Sequence, residues 1–130
     1  MKPKTILVVE DDKVVQKVIL DILKAAGYEV LSARDGAAAA KIAREQEPDL
    51  ITLDIELATD SPINSWDGFG VAGWLRRMRE GEPKPVLIVI SGNIQPDKIA
   101  ERAAKLGIRT CLTKPVDKQQ LLDAVAAALK

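Results

Sequence analysis

Five short apolar runs of β character recur along the chain, and they constrain the fold more than any other feature. The runs occupy residues 5–9, 28–33, 49–53, 86–90 and 108–112. Their length and their polar flanks are typical of buried strands, and each is followed by a stretch with helical spacing of apolar residues. Parallel strands need crossover connections, which helices usually supply. The alternation therefore predicts an α/β fold with a five-stranded parallel sheet.

Capping and breaking residues mark the predicted helix ends. Asp12 and Asp35 are placed to cap the first two helices, and Asp117 with Gln120 imitates a capping box before the last. The expected stop signals are Gly27, Pro48, Gly81 and Gly107, and Pro96 fits the first turn of the fourth helix. These signals divide the whole chain, without a linker or a repeat, so residues 1–130 are expected to form one domain.

Chemically active side chains stand where the predicted strands end. They are Glu10 and Asp11 after the first strand, Asp54 after the third, Ser91 after the fourth and Lys114 after the fifth. In an open parallel sheet the binding site lies at the carboxyl ends of the strands. The run Glu10-Asp11-Asp12 repels itself, and helix capping needs only Asp12. A hard cation with oxygen ligands explains the other two acids.

Composition excludes several classes of function. Lys+Arg and Asp+Glu are 19 each, so no net positive charge favours nucleic acid. No apolar run is long enough for a membrane helix, and no signal peptide is expected, because Met1-Lys2-Pro3-Lys4 leads directly into a predicted strand. The chain has no histidine, which excludes histidine catalysis. The lone Cys111 predicts a reducing, cytoplasmic compartment and a small buried thiol that nothing activates.

Taken together, the strings resemble a receiver domain of the two-component response regulators, similar to the chemotaxis regulators. They run from I-L-V-V-E-D-D through P-D-L-I-T-L-D and V-I-S-G to L-T-K-P, in order and at four strand ends. The resemblance implies a flavodoxin-like, doubly wound (βα)5 three-layer sandwich with strand order 2-1-3-4-5. It also implies a phosphoacceptor that signals by changing shape and acts catalytically only on its own phosphoryl group.

The resemblance assigns a role to each residue at the rim. Asp54 would accept the phosphoryl group from a histidine kinase or a histidine phosphotransfer protein, and Ser91 and Lys114 would contact that group. Glu10, Asp11, Asp54 and the backbone carbonyl of Glu56 would hold Mg²⁺, with Glu10 acting through water. The Glu56 side chain is expected to be exposed and to have no role at the site. Gly92 is expected to leave space for the phosphoryl donor. Lys114-Pro115 is expected to be cis. A downstream protein target, and a homodimer, are further partners that the resemblance allows.

Two features depart from the receiver pattern. The segment 55–66, before Asp67-Gly68, is longer than usual and could contact a partner, shield the phosphoryl group or be a tolerated insertion. Cys111 stands where receivers typically carry an aromatic switch residue. We therefore expect the conformational change on phosphorylation to lie nearer the long loop and its Trp66 than the fifth strand.

Three other kinds of protein share part of this residue pattern. A haloacid-dehalogenase-like phosphatase would place its nucleophile after the first strand, whereas Asp54 follows the third. A flavodoxin-like cofactor binder would avoid acids after the first strand. A phosphorylation-independent, receiver-like scaffold is an alternative that the sequence does not exclude. The string Gly68-Phe69-Gly70-Val71-Ala72-Gly73 matches a dinucleotide motif but lacks its context, and close packing of the third helix on the sheet explains it better.

Overall fold

The computed structural model describes residues 3–56, 68–78, 85–92 and 96–130. Within these ranges strands and helices alternate from one end to the other. The strands are β1 (Thr5–Val9), β2 (Glu29–Ala33), β3 (Leu50–Asp54), β4 (Val86–Ser91) and β5 (Thr110–Thr113). The helices are α1 (Lys13–Ala25), α2 (Gly36–Gln46), α3 (Gly68–Met78), α4 (Pro96–Lys105) and α5 (Lys118–Ala128).

The sheet is parallel throughout and has the order β2-β1-β3-β4-β5. Its central strands are buried on both faces, as the uninterrupted apolar runs predict. Helices α2, α3 and α4 pack on one face of the sheet, and α1 and α5 pack on the other. The predicted three-layer α/β fold with strand order 2-1-3-4-5 is confirmed.

The predicted helix ends are confirmed where the structure describes them. Asp12 caps α1 by accepting hydrogen bonds from the backbone N–H groups of Val14 and Val15 at 2.8 and 3.1 Å. Asp35 and Asp117 each accept one such bond at 2.8 Å. Gly27 and Gly107 follow α1 and α4 with φ of +98° and +76°, a conformation that glycine adopts without steric penalty.

Two expectations about the last strand needed correction. The run 108–112 predicted a strand, but β5 begins only at Thr110, because Gly107 turns the chain and Ile108 enters the core before the strand starts. Cys111 is half-buried rather than buried, since β5 lies at the edge of the sheet. Gly81 and the long segment before Asp67, including Trp66, lie outside the described residues except for Ile55 and Glu56.

Candidate functional site

The carboxyl ends of the central strands bring the predicted rim residues together. Asp54 is the last residue of β3 and pairs with Ile90 of β4, so Ser91 lies beside it on the next strand. Glu10 follows β1, and its backbone N–H donates to the carbonyl of Ala33 at 3.0 Å. The parallel register therefore sets these groups at one edge of the sheet.

Three carboxylates converge at this edge. One oxygen each from Glu10, Asp11 and Asp54 lie within 4.8 Å of one another. The residues Glu10 and Asp54 are only 1% and 2% exposed, as is Ser91 at 2%. Buried acids carry a large desolvation penalty unless they are neutralised or paired. These acids therefore need either a bound proton or a partner of opposite charge.

Lys114 supplies one such charge. Its Nζ lies 2.9 Å from Glu10 Oε1 and 3.3 Å from Asp54 Oδ2. Burial disfavours the ammonium, but hydrogen bonding and charge from the two carboxylates outweigh it and raise the pKa of Lys114. The Lys114 backbone N–H also donates to the carbonyl of Ser91 at 2.7 Å, which ties the lysine to the end of β4. The expected cis bond between Lys114 and Pro115 is confirmed.

The positive charge of Lys114 does not fully offset the burial of the Glu10 and Asp54 carboxyl groups. Burial first, and then the neighbouring Asp54 carboxyl, raise the pKa of Glu10 to about 7, despite the lowering effect of the Lys114 ammonium and the Asp12 backbone N–H. In the part of the chain that the structure describes, Glu10 Oε1 and Asp54 Oδ2 are buried and accept no well-aligned hydrogen bond, although both lie within ion-pair distance of Lys114. The Lys114 ammonium therefore leaves acceptor capacity on these two oxygens unused.

The donor set fits a small hard cation. Mg²⁺ takes oxygen ligands at about 2.0–2.1 Å, which sets opposite ligands about 4 Å apart and adjacent ones about 3 Å apart. The three carboxylate oxygens lie within 4.8 Å of one another, and two of the carboxylates have a buried oxygen with spare capacity. The residues present could therefore hold Mg²⁺ with small adjustments of their side chains.

Helix α3 starts directly against the candidate acceptor. A Cβ atom added at Gly68 would lie 2.4 Å from the backbone oxygen of Asp54 and 2.4 Å from Cα of Ile55. Both neighbours are backbone atoms and cannot rotate away, so only glycine fits. The glycine-rich string at residues 68–73 is thus explained by close packing at its first position, as predicted.

The surroundings of Glu56 correct one expectation. Its backbone N–H donates to Asp54 Oδ1 at 2.9 Å. Its side chain is exposed, as predicted, but it forms a contact that was not predicted. Oε1 accepts a hydrogen bond from the Gly92 backbone N–H at 2.8 Å. The space expected beside Gly92 is filled by that carboxylate, whose oxygens lie 3.1 and 3.2 Å from the position of a Gly92 Cβ.

Sequence reasoning also missed Gln16. Its Nε2 donates to the carbonyl oxygens of Glu10 and Ala33 at 3.2 and 3.1 Å, which links the ends of β1 and β2 below the acids. The available signal was a polar residue beside the apolar stripe of the first helix, close to the strand end. Among the described residues, no helix combines the length and apolar character needed to cross a membrane.

Comparisons with known proteins agree with this geometry. A model of the response regulator receiver domain family matches residues 6–126. The chain is 32% identical over 127 residues to the polar-differentiation response regulator DivK of Brucella anthropi, covering 98% of this chain and 97% of that protein. DivK of Brucella ovis is 31% identical over 126 residues, covering 97% and 96%.

Solved structures give the same result for the fold. The CheY-like receiver domain protein of Methanospirillum hungatei JF-1 superposes with a TM-score of 0.84 at 23% identity, covering 98% of this chain and 94% of that one. The receiver domain of NtrX from Brucella abortus superposes with a TM-score of 0.82 at 26% identity, covering 95% and 97%. The chain belongs to the family of response regulator receiver domains, the signalling domains of two-component systems.

Proposed function

We propose that Asp54 is the phosphoacceptor of this receiver domain and that Mg²⁺ bound beside it is required for the transfer. One observation carries the proposal. The Asp54 carboxylate is buried at a strand end, next to two further acids and with Lys114 Nζ 3.3 Å from its Oδ2. Packing alone would not select three neighbouring acids and one lysine at the edge of an otherwise apolar sheet.

The reaction needs a nucleophile and stabilisation of charge on the transferred group. An Asp54 oxygen attacks phosphorus of a phosphohistidine donor, forming a P–O bond as the P–N bond breaks. The bonding pair stays on the imidazole nitrogen, which takes a proton. Lys114 provides a positive charge near the phosphoryl oxygens, and the Ser91 hydroxyl donates a hydrogen bond to one of them. The Asp54 acyl phosphate is later lost by hydrolysis, the only other reaction we assign to this domain.

Four groups of this chain would hold the metal: the side chains of Glu10, Asp11 and Asp54 and the backbone carbonyl of Glu56, with Glu10 acting through water. A Mg²⁺ ion bound there would supply positive charge against the charge that develops on the phosphoryl oxygens. Gln16 fixes the backbone carbonyl of Glu10 and so orients that side chain toward the cluster.

The family also implies the kind of partner. We assign the donor to a histidine kinase or a histidine phosphotransfer protein and the output to a protein target, with residues 1–130 acting as one receiver domain in the cytoplasm. Direct nucleic-acid binding is not part of the proposal, because the basic and acidic residues balance. We also propose self-association on phosphorylation, which sedimentation with and without beryllofluoride would detect.

Transfer from a phosphorylated histidine phosphotransfer protein tests the proposal. The wild type should gain label in Mg²⁺ and not in EDTA, and Asp54→Asn should gain none. Asp12→Asn is the matched control, because it removes the charge of an adjacent acid whose side chain caps α1. Equal labelling of the wild type and Asp54→Asn would disprove the assignment, and equal labelling in Mg²⁺ and EDTA would disprove the metal requirement.

A further inference from the structure

The Glu56 side chain forms a contact that the phosphoacceptor role does not explain. Its Oε1 accepts the hydrogen bond of the Gly92 backbone N–H at 2.8 Å. Both carboxylate oxygens lie within 3.2 Å of the place where a Gly92 Cβ would stand. An anionic group of the chain itself therefore covers this amide, at the rim of the proposed phosphorylation site.

The position of that amide follows from the sheet register. Asp54 of β3 pairs with Ile90 of β4. Glu56 lies two residues after Asp54, and Gly92 lies two residues after Ile90. The backbone N–H of Glu56 donates a hydrogen bond to Asp54 Oδ1 at 2.9 Å. Gly92 directly follows Ser91, whose hydroxyl we assign to the phosphoryl group. The Gly92 N–H therefore belongs to the residue next to Ser91 and is bonded to the side chain of Glu56, whose own N–H contacts Asp54.

We propose that the Glu56 carboxylate occupies the Gly92 amide in the unmodified protein and must leave it when Asp54 is phosphorylated. This inference rests on the proposed function, because it takes Asp54 as the acceptor. A phosphoryl group brings up to about two negative charges and three strong acceptor oxygens. It repels the Glu56 carboxylate and offers the Gly92 N–H a replacement acceptor.

The displacement is feasible because the Glu56 side chain is exposed. Once released, its carboxylate is solvated by water, so the loss is confined to one hydrogen bond to the amide. Glu56 is therefore a positioning residue that lowers the equilibrium occupancy of the phosphorylated state. Because this hydrogen bond is exposed to solvent, we assign it the net value of an ordinary hydrogen bond rather than a buried charged one, which corresponds to about three- to tenfold in an equilibrium constant.

Two variants separate occupation of the amide from simple charge repulsion. Glu56→Gln removes the charge but keeps an oxygen that can accept from Gly92. Glu56→Ala removes both. The affinity for beryllofluoride is measured by calorimetry in saturating Mg²⁺. If the Glu56 side chain occupies the Gly92 amide, this affinity should rise in the order wild type, Glu56→Gln, Glu56→Ala. The affinity of Glu56→Ala should be about three- to tenfold above that of wild type. Glu101→Gln, an exposed acid on α4, is the control and should match wild type.

The Gly92 amide itself gives a second measurement. In ¹⁵N–¹H spectra of the unmodified protein, its proton signal should move upfield in Glu56→Ala, because the carboxylate acceptor is lost. The signals of wild type and Glu56→Ala should coincide in the beryllofluoride complex. Equal affinity gains in Glu56→Gln and Glu56→Ala would assign the effect to charge alone and overturn the proposal, as would an unchanged Gly92 signal.

Failure of this inference is distinguishable from failure of the phosphoacceptor assignment. If Asp54→Asn is labelled like wild type, the assignment itself is wrong. If labelling depends on Asp54 but beryllofluoride affinity in Glu56→Ala stays at or below that of wild type, only the role of Glu56 is wrong. Mg²⁺ affinity, measured separately, should be similar in all Glu56 variants, since the proposed metal ligand at this position is the backbone carbonyl.

Discussion

Replacing Glu10 with glutamine should stabilise the metal-free protein, and the gain should grow with pH. Burial and the neighbouring Asp54 carboxyl raise the pKa of Glu10 in the folded protein from its ordinary value of 4.5 to about 7. A raised folded-state pKa contributes stability that is complete below pH 4.5 and is lost as pH rises to about 7. Glutamine resembles the protonated acid at every pH and escapes that loss.

The size of the effect follows from the same two values. The interval from 4.5 to about 7 corresponds to about 3 kcal/mol, because a tenfold change in proton affinity is worth about 1.36 kcal/mol. In EDTA, Glu10→Gln should therefore match wild type near pH 4.5 and exceed its free energy of unfolding by up to about 3 kcal/mol at pH 8.

Urea denaturation followed by circular dichroism at several pH values measures this difference. Glu45→Gln is the matched control, because Glu45 is exposed on α2 and its replacement should change stability by less than about 0.5 kcal/mol at any pH. Saturating Mg²⁺ should reduce the advantage of Glu10→Gln by stabilising the ionised wild-type cluster. A difference that stays constant from pH 4.5 to pH 8 would refute the reasoning.

Three further predictions concern neighbouring positions. Gly68→Ala should destabilise the fold by about 2 kcal/mol or more in thermal or urea unfolding, because its Cβ would overlap backbone atoms of Asp54 and Ile55; a near-wild-type value would show that α3 shifts at little cost. Asp12→Ala should lower the free energy of unfolding by about 1 kcal/mol through the lost cap of α1, while phosphorylation persists; loss of phosphorylation would give Asp12 a role at the site. Asp11→Asn should lose most of the rise in melting temperature that Mg²⁺ gives the wild type, and an unchanged rise would exclude Asp11 as a ligand.

The fold was predictable from sequence because its signals are local and mutually consistent. Each apolar run, cap and glycine stop requires only neighbouring residues to be interpreted. Strand ends then followed from the runs, and the topology of parallel sheets placed Glu10, Asp54 and Lys114 at one edge before any distance was known. The strand order itself came from the family resemblance, since local patterns do not determine which strands are neighbours.

Contacts that depend on side-chain rotamers were not predictable. The Glu56 carboxylate reaches Gly92 across two loops that are 36 positions apart in sequence, and no periodic pattern encodes that distance. Gln16 was not predicted because its two acceptors, the carbonyl oxygens of Glu10 and Ala33, come from different strand ends that only the folded sheet brings together. The half-buried state of Cys111 followed only from the position of β5 at the sheet edge, which sequence spacing within the strand does not reveal.

The central claim is that Asp54 carries the phosphoryl group, and chemical trapping in the unmutated protein tests it most directly. After incubation with acetyl phosphate and Mg²⁺, borohydride reduces an aspartyl phosphate to homoserine, which peptide sequencing by mass spectrometry locates. Homoserine should be found at position 54 and should disappear when EDTA replaces Mg²⁺. Homoserine at Asp11 or Asp12 instead, or a phosphorylated protein with aspartate intact at position 54, would contradict the account.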